Sequence, residues 1–326
     1  MAATQDIVTV DVGGTHARFA IASISPTKQI ALSEPTTLHT KDHASFQTAW
    51  EHYRDHMGGA LPNAVAIAAA GLVNKEVIRF TNNPWIIRPA LIAEKLGCST
   101  HVIVNDFEAI AHAAALASPD QFVHLAGPQI DLPADGIISV IGPGTGLGVA
   151  HFHRDSTQRY RVHATEGGHS AFAPLDAIED AILARLRTRF SRVSTERVVA
   201  GPAIVDIYQT LAAMENRAIT DLDDISIWQL GLSGEDSLAA AAVDRFCLAL
   251  GSVAGDLALS HGAKGVVIAG GLGFRIRETL LKSGFEARFT AKGRYSEHMM
   301  TLPVKMIAQS QPGLTGAAAA FLQAMD

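Results

Sequence analysis

Apolar positions fall with a short, strand-like period at the start of the chain. The segment 7-IVTVDVGGTHARFAIASI-24 gives two β-rich runs around a Gly-Gly-Thr turn, which predicts a hairpin with a tight polar connection, and Ser25-Pro26 supplies the next turn. Residues 42–57 predict a helix. Beyond it, 64-AVAIAAAG-71 predicts a buried strand and 90-ALIAEKLG-97 a helix ending at a glycine. The run 101-HVIVND-106 predicts a strand that delivers Asn105 and Asp106 to its C-terminal end, with a helix over 107–117. A second series starts at 136-GIISVIGPGTGLGVAHF-152, again two β-rich runs around a glycine turn that carries a threonine, and this likeness in form suggests an internally duplicated architecture. Helices are predicted at 175–190, 202–216 and 237–260, a loop or short element at 217–236, strands at 265–273 and 303–308, and a closing helix at 314–325. Strands alternating with helices predict an α/β fold with an at least partly parallel sheet, whose ligand groups gather at strand ends.

A chain of 326 residues exceeds the usual size of one core, so two domains or one divided domain are expected. The formal net charge of -6 offers no general attraction to polyphosphate or anionic lipid, and a nucleic-acid partner is not expected. Cys98 and Cys247 have no metal-ligand spacing, and two free thiols in a reducing compartment account for them most simply. The N-terminus lacks the basic stretch and apolar run of a signal peptide, and the most apolar helix, 237–260, is interrupted by Asp244, Arg245 and Asp256. A cytoplasmic protein with no membrane association is the expectation.

The glycine turns change the picture. In 11-DVGGTHAR-18, two glycines let successive N–H groups point at an anion and Thr15 adds a hydroxyl. Asp11 beside a phosphate would repel it unless a divalent cation intervenes, so Asp11 implies Mg²⁺, directly or through water; a mere tight hairpin is the alternative. The run 142-GPGTGLGV-149 places four glycines in seven positions. Leu147 stands where a dinucleotide fingerprint counted from Gly142 would need glycine, and no P-loop pattern occurs in the chain, so phosphate here would be held by neither device. A third cluster, 269-AGGLG-273, carries no charge and suits a flat nucleoside, or a plain strand-end turn. Three such clusters, one with an acid at its entry, are what a metal-bound nucleoside triphosphate needs.

Asn105 and Asp106 stand between a strand and a helix, where they can cap the helix or serve as a hydroxyl-orienting amide and a general base. Phosphoryl transfer asks the protein mainly for alignment and charge neutralisation, with a carboxylate to take the hydroxyl proton. In 165-TEGGHSAFAP-174, Glu166 and His169 can accept from and donate to vicinal hydroxyls, form a structural turn bond, or make half of a metal site. Glu196 in 195-TERVVAGP-202 and the turn 81-TNNPW-85 are not readable alone.

Taken together and in order, these marks closely resemble the bacterial glucokinase family, a branch of the sugar kinase, Hsp70 and actin superfamily of ATPases. The marks are DVGGT at 11–15, TN-x-x-W at 81–85, NDFEA at 105–109, GPGTGLGVA at 142–150, EGGH followed by FAP at 166–174, ERV-x-x-GP at 196–202 and AGG at 269–271. The resemblance implies two ribonuclease H-like (actin-like ATPase) α/β domains with a cleft between them that closes around the sugar. The small domain would comprise 1–107 plus 302–326 and the large one 108–301. It further implies ATP-dependent phosphorylation of D-glucose with Mg²⁺, and a homodimer, which is common in the family. By the same resemblance Asn82, Asn105, Asp106, Glu166, His169 and Glu196 bind the sugar, with Asp106 the base. Val10, Asp11, Val12, Gly13, Gly14 and Thr15, with Gly144, Thr145 and Gly146, approach the phosphates, and Gly270 and Gly271 the adenosine. His16 stands where the family commonly has Asn, and Val10 where glycine often precedes the Asp. The cysteine-rich zinc motif of the neighbouring ROK sugar kinases is missing. Rival readings are a kinase for mannose, fructose or an amino sugar, and a non-catalytic sugar sensor on the same fold; a dehydrogenase is disfavoured by the glycine spacing.

Overall fold

A computed structural model describes residues 4–71, 76–80, 83–157 and 159–325. The first stretch of chain forms β1 (Gln5–Val12), β2 (His16–Ile24), β3 (Ile30–Leu32), β4 (Thr36–His39), α1 (Phe46–His56), β5 (Ala64–Ala69), β6 (Ile78–Arg79), β7 (Ile86–Ile87), α2 (Ile92–Leu96), β8 (Thr100–Asn105) and α3 (Asp106–Leu116). The middle of the chain forms β9 (Phe122–Ala126), β10 (Gly136–Pro143), β11 (Leu147–Arg154), β12 (Tyr160–Thr165), α4 (Ala177–Arg187), α5 (Ile204–Met214), α6 (Asp224–Ser233) and α7 (Ser237–His261). The remainder forms β13 (Gly265–Ile268), α8 (Gly271–Arg275), α9 (Arg277–Lys282), α10 (Phe285–Thr290), α11 (Ser296–Met299), β14 (Val304–Ile307) and α12 (Pro312–Met325).

Two compact units emerge, the first from residues 1–117 and 309–326 with Val162–Ala164, the second from 118–161 and 165–308. In the first, the sheet order is β3-β2-β1-β5-β8, with β4 also on β2. β1 and β2 make the antiparallel hairpin that the alternation predicts, and β5 and β8 continue it in parallel. Every side chain of β5 is buried, as a central parallel strand covered on both faces requires. One face is covered by α1 through Phe46, Trp50 and Tyr53, the other by α12 through Ala317, Ala318 and Phe321. The α12 helix lies against α3 so closely that a Cβ at Gly316 would overlap the Ala109 carbonyl. That packing carries the first unit to Ala117, where the sequence reading places its boundary at 107.

The second unit builds the same motif. Its sheet includes the order β11-β10-β13-β14-β9, with β10 and β11 a hairpin and β13 and β14 added in parallel. Hairpin plus two parallel strands therefore occurs twice, once around each Gly/Thr turn. β14 pairs with β13 and β9, so residues 304–307 belong to this sheet, whereas the sequence reading assigns everything from 302 onward to the first domain. The 25-residue α7 is long and apolar enough to cross a bilayer, but fifteen of its residues are buried in this unit's core. Of the two readings of 217–236, a loop or a short element, the short element forms, as α6: Asp223 caps it by accepting from Ser226 N–H at 2.8 Å, Ile227 and Trp228 anchor it, and Gly234 ends it in the left-handed region. Both cysteines are free and buried.

Candidate active site

In the first unit, Asp11 is the second-last residue of β1, opposite Arg18 of β2, with 3.4 Å between carboxylate and guanidinium. Burial pushes the Asp11 carboxyl above its ordinary range, against the opposing pull of Arg18. Gly313 of α12 lies directly beside that carboxylate, since a Cβ there would stand 2.7 Å from Asp11 Oδ2. The turn that follows is held from behind by its carbonyls: Asn83 Nδ2 donates to Gly13 O at 3.4 Å, Thr40 Oγ1 to Gly14 O at 2.9 Å, and Thr40 N–H to Thr15 O at 3.0 Å. With its carbonyls turned inward, the turn leaves the N–H groups of Gly14 and Thr15 without an acceptor among the described residues. That is an anion-facing geometry. Val10 and Val12 do not share it, because their side chains are fully buried and β1 is laddered to β2 on one side and β5 on the other. The open N–H groups of this segment are those of Gly14 and Thr15, since Gly13 N–H donates to His16 O at 2.9 Å. His16, next along, has its ring 4.6 Å from that of His39 in a tilted contact, and burial, then His39 and Arg18, hold its imidazole below the ordinary value.

Asn105 closes β8 and caps α3. Its Oδ1 accepts from Phe107 N–H at 2.9 Å and Glu108 N–H at 3.2 Å, and Glu108 Oε2 accepts from Asn105 N–H at 3.3 Å, a complete capping box. Its Nδ2 donates to Gly71 O at 3.1 Å, which leaves a second N–H on that nitrogen. Capping thus occupies the oxygen end of the amide and leaves a donor at the nitrogen end. Asp106, the first residue of α3, accepts from Phe107 N–H through Oδ1 at 2.9 Å and is partly exposed. The head of an eleven-residue helix favours its negative charge. Asn82 lies outside the described residues.

In the second unit, Gly144, Thr145 and Gly146 form a turn of the same kind. Gly144 N–H donates to Gly146 O at 2.8 Å, and Gly144 O accepts from Gly201 N–H at 2.7 Å. Thr145 and Gly146 N–H find no acceptor among the described residues. Glu196 joins this turn, accepting from Leu147 N–H at 2.9 Å, and Gly146 leaves the room its carboxylate occupies. Leu147 also lies against Gly168, where any Cβ would overlap its carbonyl, so the EGGH segment rests on the same residue. Thr195 fixes that segment through bonds to Gly168 O and Ser170 O, and Arg192 donates to His169 O at 2.7 Å. Glu166 and His169 stand exposed, Oε2 to Nε2 3.8 Å apart. Leu147, next to the 144–146 turn, is therefore where the EGGH segment, through Gly168, and Glu196 meet.

Gly270 and Gly271 open α8 beside that turn. Gly270 has φ +86°, and a Cβ there would meet Pro143 O at 2.8 Å. Gly201 packs on Gly144 and Leu272, and Trp228 Nε1 donates to its carbonyl at 2.9 Å. Trp228, Thr40, Asn83 and Arg18 are supporting residues that the sequence reading does not single out, and Gly201 enters it only within the ERV-x-x-GP mark. Only Arg18 carries a local signal, since a hairpin turning at 13–15 sets residue 18 opposite Asp11.

Among the described residues no group of three or more His, Cys, Asp or Glu could hold a metal. A desolvated carboxylate beside a phosphate-facing turn nevertheless fits Mg²⁺, which is commonly held by one or two carboxylates together with substrate phosphates.

The glucokinase family model matches residues 8–324. A glucokinase of Zymomonas mobilis is 55% identical over 97% of this chain and 97% of its own length. A glucokinase structure from an Antarctic psychrotroph superposes with a TM-score of 0.85 at 33% identity, covering 98% of this chain and 99% of that one. At 20% identity, a Balamuthia mandrillaris glucokinase solved with glucose shares the fold with a TM-score of 0.79, over 97% of this chain and 93% of its own. With both Gly/Thr turns, the capped Asn105-Asp106 pair and the EGGH segment inside the matched span, the chain belongs to the glucokinase family.

Proposed function

We propose that Asp106 is the general base of glucose phosphorylation by ATP in this chain. The sugar's 6-hydroxyl oxygen forms a bond to the γ-phosphorus while the bond from that phosphorus to the β,γ-bridging oxygen breaks. ADP leaves with that electron pair, the hydroxyl proton passes to the Asp106 carboxylate, and glucose 6-phosphate results. N–H groups of Gly14, Thr15, Thr145 and Gly146 receive phosphate oxygens. Asn105 Nδ2, Glu166, His169, Glu196 and Asn82 receive the sugar hydroxyls, and the Gly270-Gly271 opening takes the adenosine. Mg²⁺ at Asp11, directly or through water, supplies neutralisation of phosphate charge. A reaction that draws on ATP and free glucose suits the cytoplasm.

The observation that most supports this reading is the fixing of Asp106: a full capping box and the Asn105–Gly71 bond hold the residue in front of it. The test is kcat/KM with MgATP over glucose, mannose, fructose and glucosamine. Glucose is expected to lead by about tenfold or more, the penalty for one buried hydroxyl partner left unpaired. Equal rates on all four would overturn the assignment of specific hydroxyl partners.

A further inference from the structure

We infer that Phe274, braced by Arg277, is the surface against which the adenine ring of the nucleotide stacks. The inference rests on the reading of the Gly270-Gly271 opening as the nucleoside site. Phe274 is a large apolar side chain left 45% exposed. It does not stand at random on the surface, because residues three apart on a helix share a face and Gly271 is three before it. Leu272 and Gly273, between them, turn the other way: Leu272 is buried and approaches Gly201, and Gly273 packs toward Ile268 and Pro143. On the shared face, a Cβ at Gly271 would meet nothing within 4 Å. Open space therefore adjoins the Phe274 ring, about one helical turn along from the glycine opening.

Arg277 places its guanidinium carbon 4.8 Å from the Phe274 ring centroid, while its Nε is 3.3 Å from Glu278 Oε1. That contact uses one face of the ring and restrains it, leaving ring surface available to a second flat partner. A purine fits, since it is flat and apolar on its faces, and stacking accepts any base by its π-surface. The convergence on this spot supports a nucleotide over a protein partner. Gly144, Gly201 and Gly270 lie within contact of one another's backbone or of Pro143, so a phosphate at the 144–146 turn and a base at Phe274 would belong to one ligand.

The test compares wild type, Phe274→Ala and Phe274→Trp by calorimetric titration with ADP and with inorganic tripolyphosphate, alongside the KM values for ATP and glucose. F274A should weaken ADP and raise the ATP KM by about tenfold. Tripolyphosphate affinity and the glucose KM should change less than about twofold, and F274W should recover ADP binding. Unchanged ADP affinity in F274A would overturn the inference, as would equal losses for ADP and tripolyphosphate or an F274W protein no better than F274A. Failure of the underlying reading looks different: wild type itself would then bind no ADP, which overturns both.

Discussion

Gly313→Ala (G313A) probes the proposed phosphate turn of the first unit without replacing any residue proposed to meet a ligand. The added Cβ would stand 2.7 Å from Asp11 Oδ2 and 2.8 Å from Asp11 Cγ. Ordinary contact begins near 3.4 Å, so the carboxylate must give way by about 0.7 Å or rotate off Arg18, its partner at 3.4 Å. Two effects oppose each other in stability. Alanine in a helix gains roughly 0.5–1 kcal/mol over glycine, and overpacking costs about 1–3 kcal/mol. The clash wins, with a net loss of about 1 kcal/mol. The lost ion pair adds little, because Arg18 is 38% exposed. Activity should suffer more than stability, since misplacement by an ångström can lower a rate by about a hundredfold. We expect kcat/KM for MgATP to fall by about ten- to a hundredfold and the Mg²⁺ requirement to rise, while glucose affinity holds. Initial rates across a grid of ATP and Mg²⁺, with urea denaturation alongside, read both. Wild-type dependence on ATP and Mg²⁺ in a variant destabilised as expected would refute the placing of Asp11 at the nucleotide; an unchanged stability would refute the packing argument.

Two further outcomes follow from the first unit. Gly316→Ala sets a Cβ against the rigid Ala109 carbonyl rather than a side-chain tip, so it should destabilise by about 3 kcal/mol or more in urea titration and exceed G313A; a neutral result would contradict the close α3–α12 approach. His112 of α3 is buried, and burial lowers its imidazole to about 4 from an ordinary 6.5. Above pH 6.5 both folded and unfolded chains hold it neutral; as pH falls toward 4 the unfolded chain takes up a proton that the folded chain refuses, and stability drops by about 3 kcal/mol from this group. His112→Leu should therefore lose about 2 kcal/mol less than wild type between pH 7 and pH 4.5, and parallel pH profiles would contradict it.

Much of this was legible from periodicity and punctuation. Both hairpins follow from β-rich runs around Gly/Thr turns, and the passage from β8 into α3 from an apolar run that ends in Asn-Asp. α6 was legible only as far as a loop or a short element, because its acidic and glycine-rich flanks mask a short apolar stripe whose buried members are Ile227 and Trp228. β9 escaped because a short strand that pairs with distant β14, at residues 304–307, has no local signature. The stretch 265–273 reads as one strand, but the ladder ends at Ile268 and α8 begins at Gly271. At the site, residue types were readable and supports were not. Gly201 bonds Gly144, fifty-seven positions earlier, and Glu196 bonds Leu147, forty-nine earlier; contacts at such separation come from the fold and leave no spacing to read. The resemblance placed Glu196 with the sugar; its bond to Leu147 adds a link to the phosphate turn that no motif announces.

The most direct test of the central claim is Asp106→Asn (D106N), measured for glucose affinity by calorimetry and for turnover with MgATP. Asparagine keeps the size and the Oδ1 acceptor that Phe107 N–H requires, so α3 should still start where it does. The account predicts glucose binding within about threefold of wild type and kcat lower by about a hundredfold or more, the usual range for loss of a general base. Glucose-dependent turnover at the wild-type rate in D106N would contradict it.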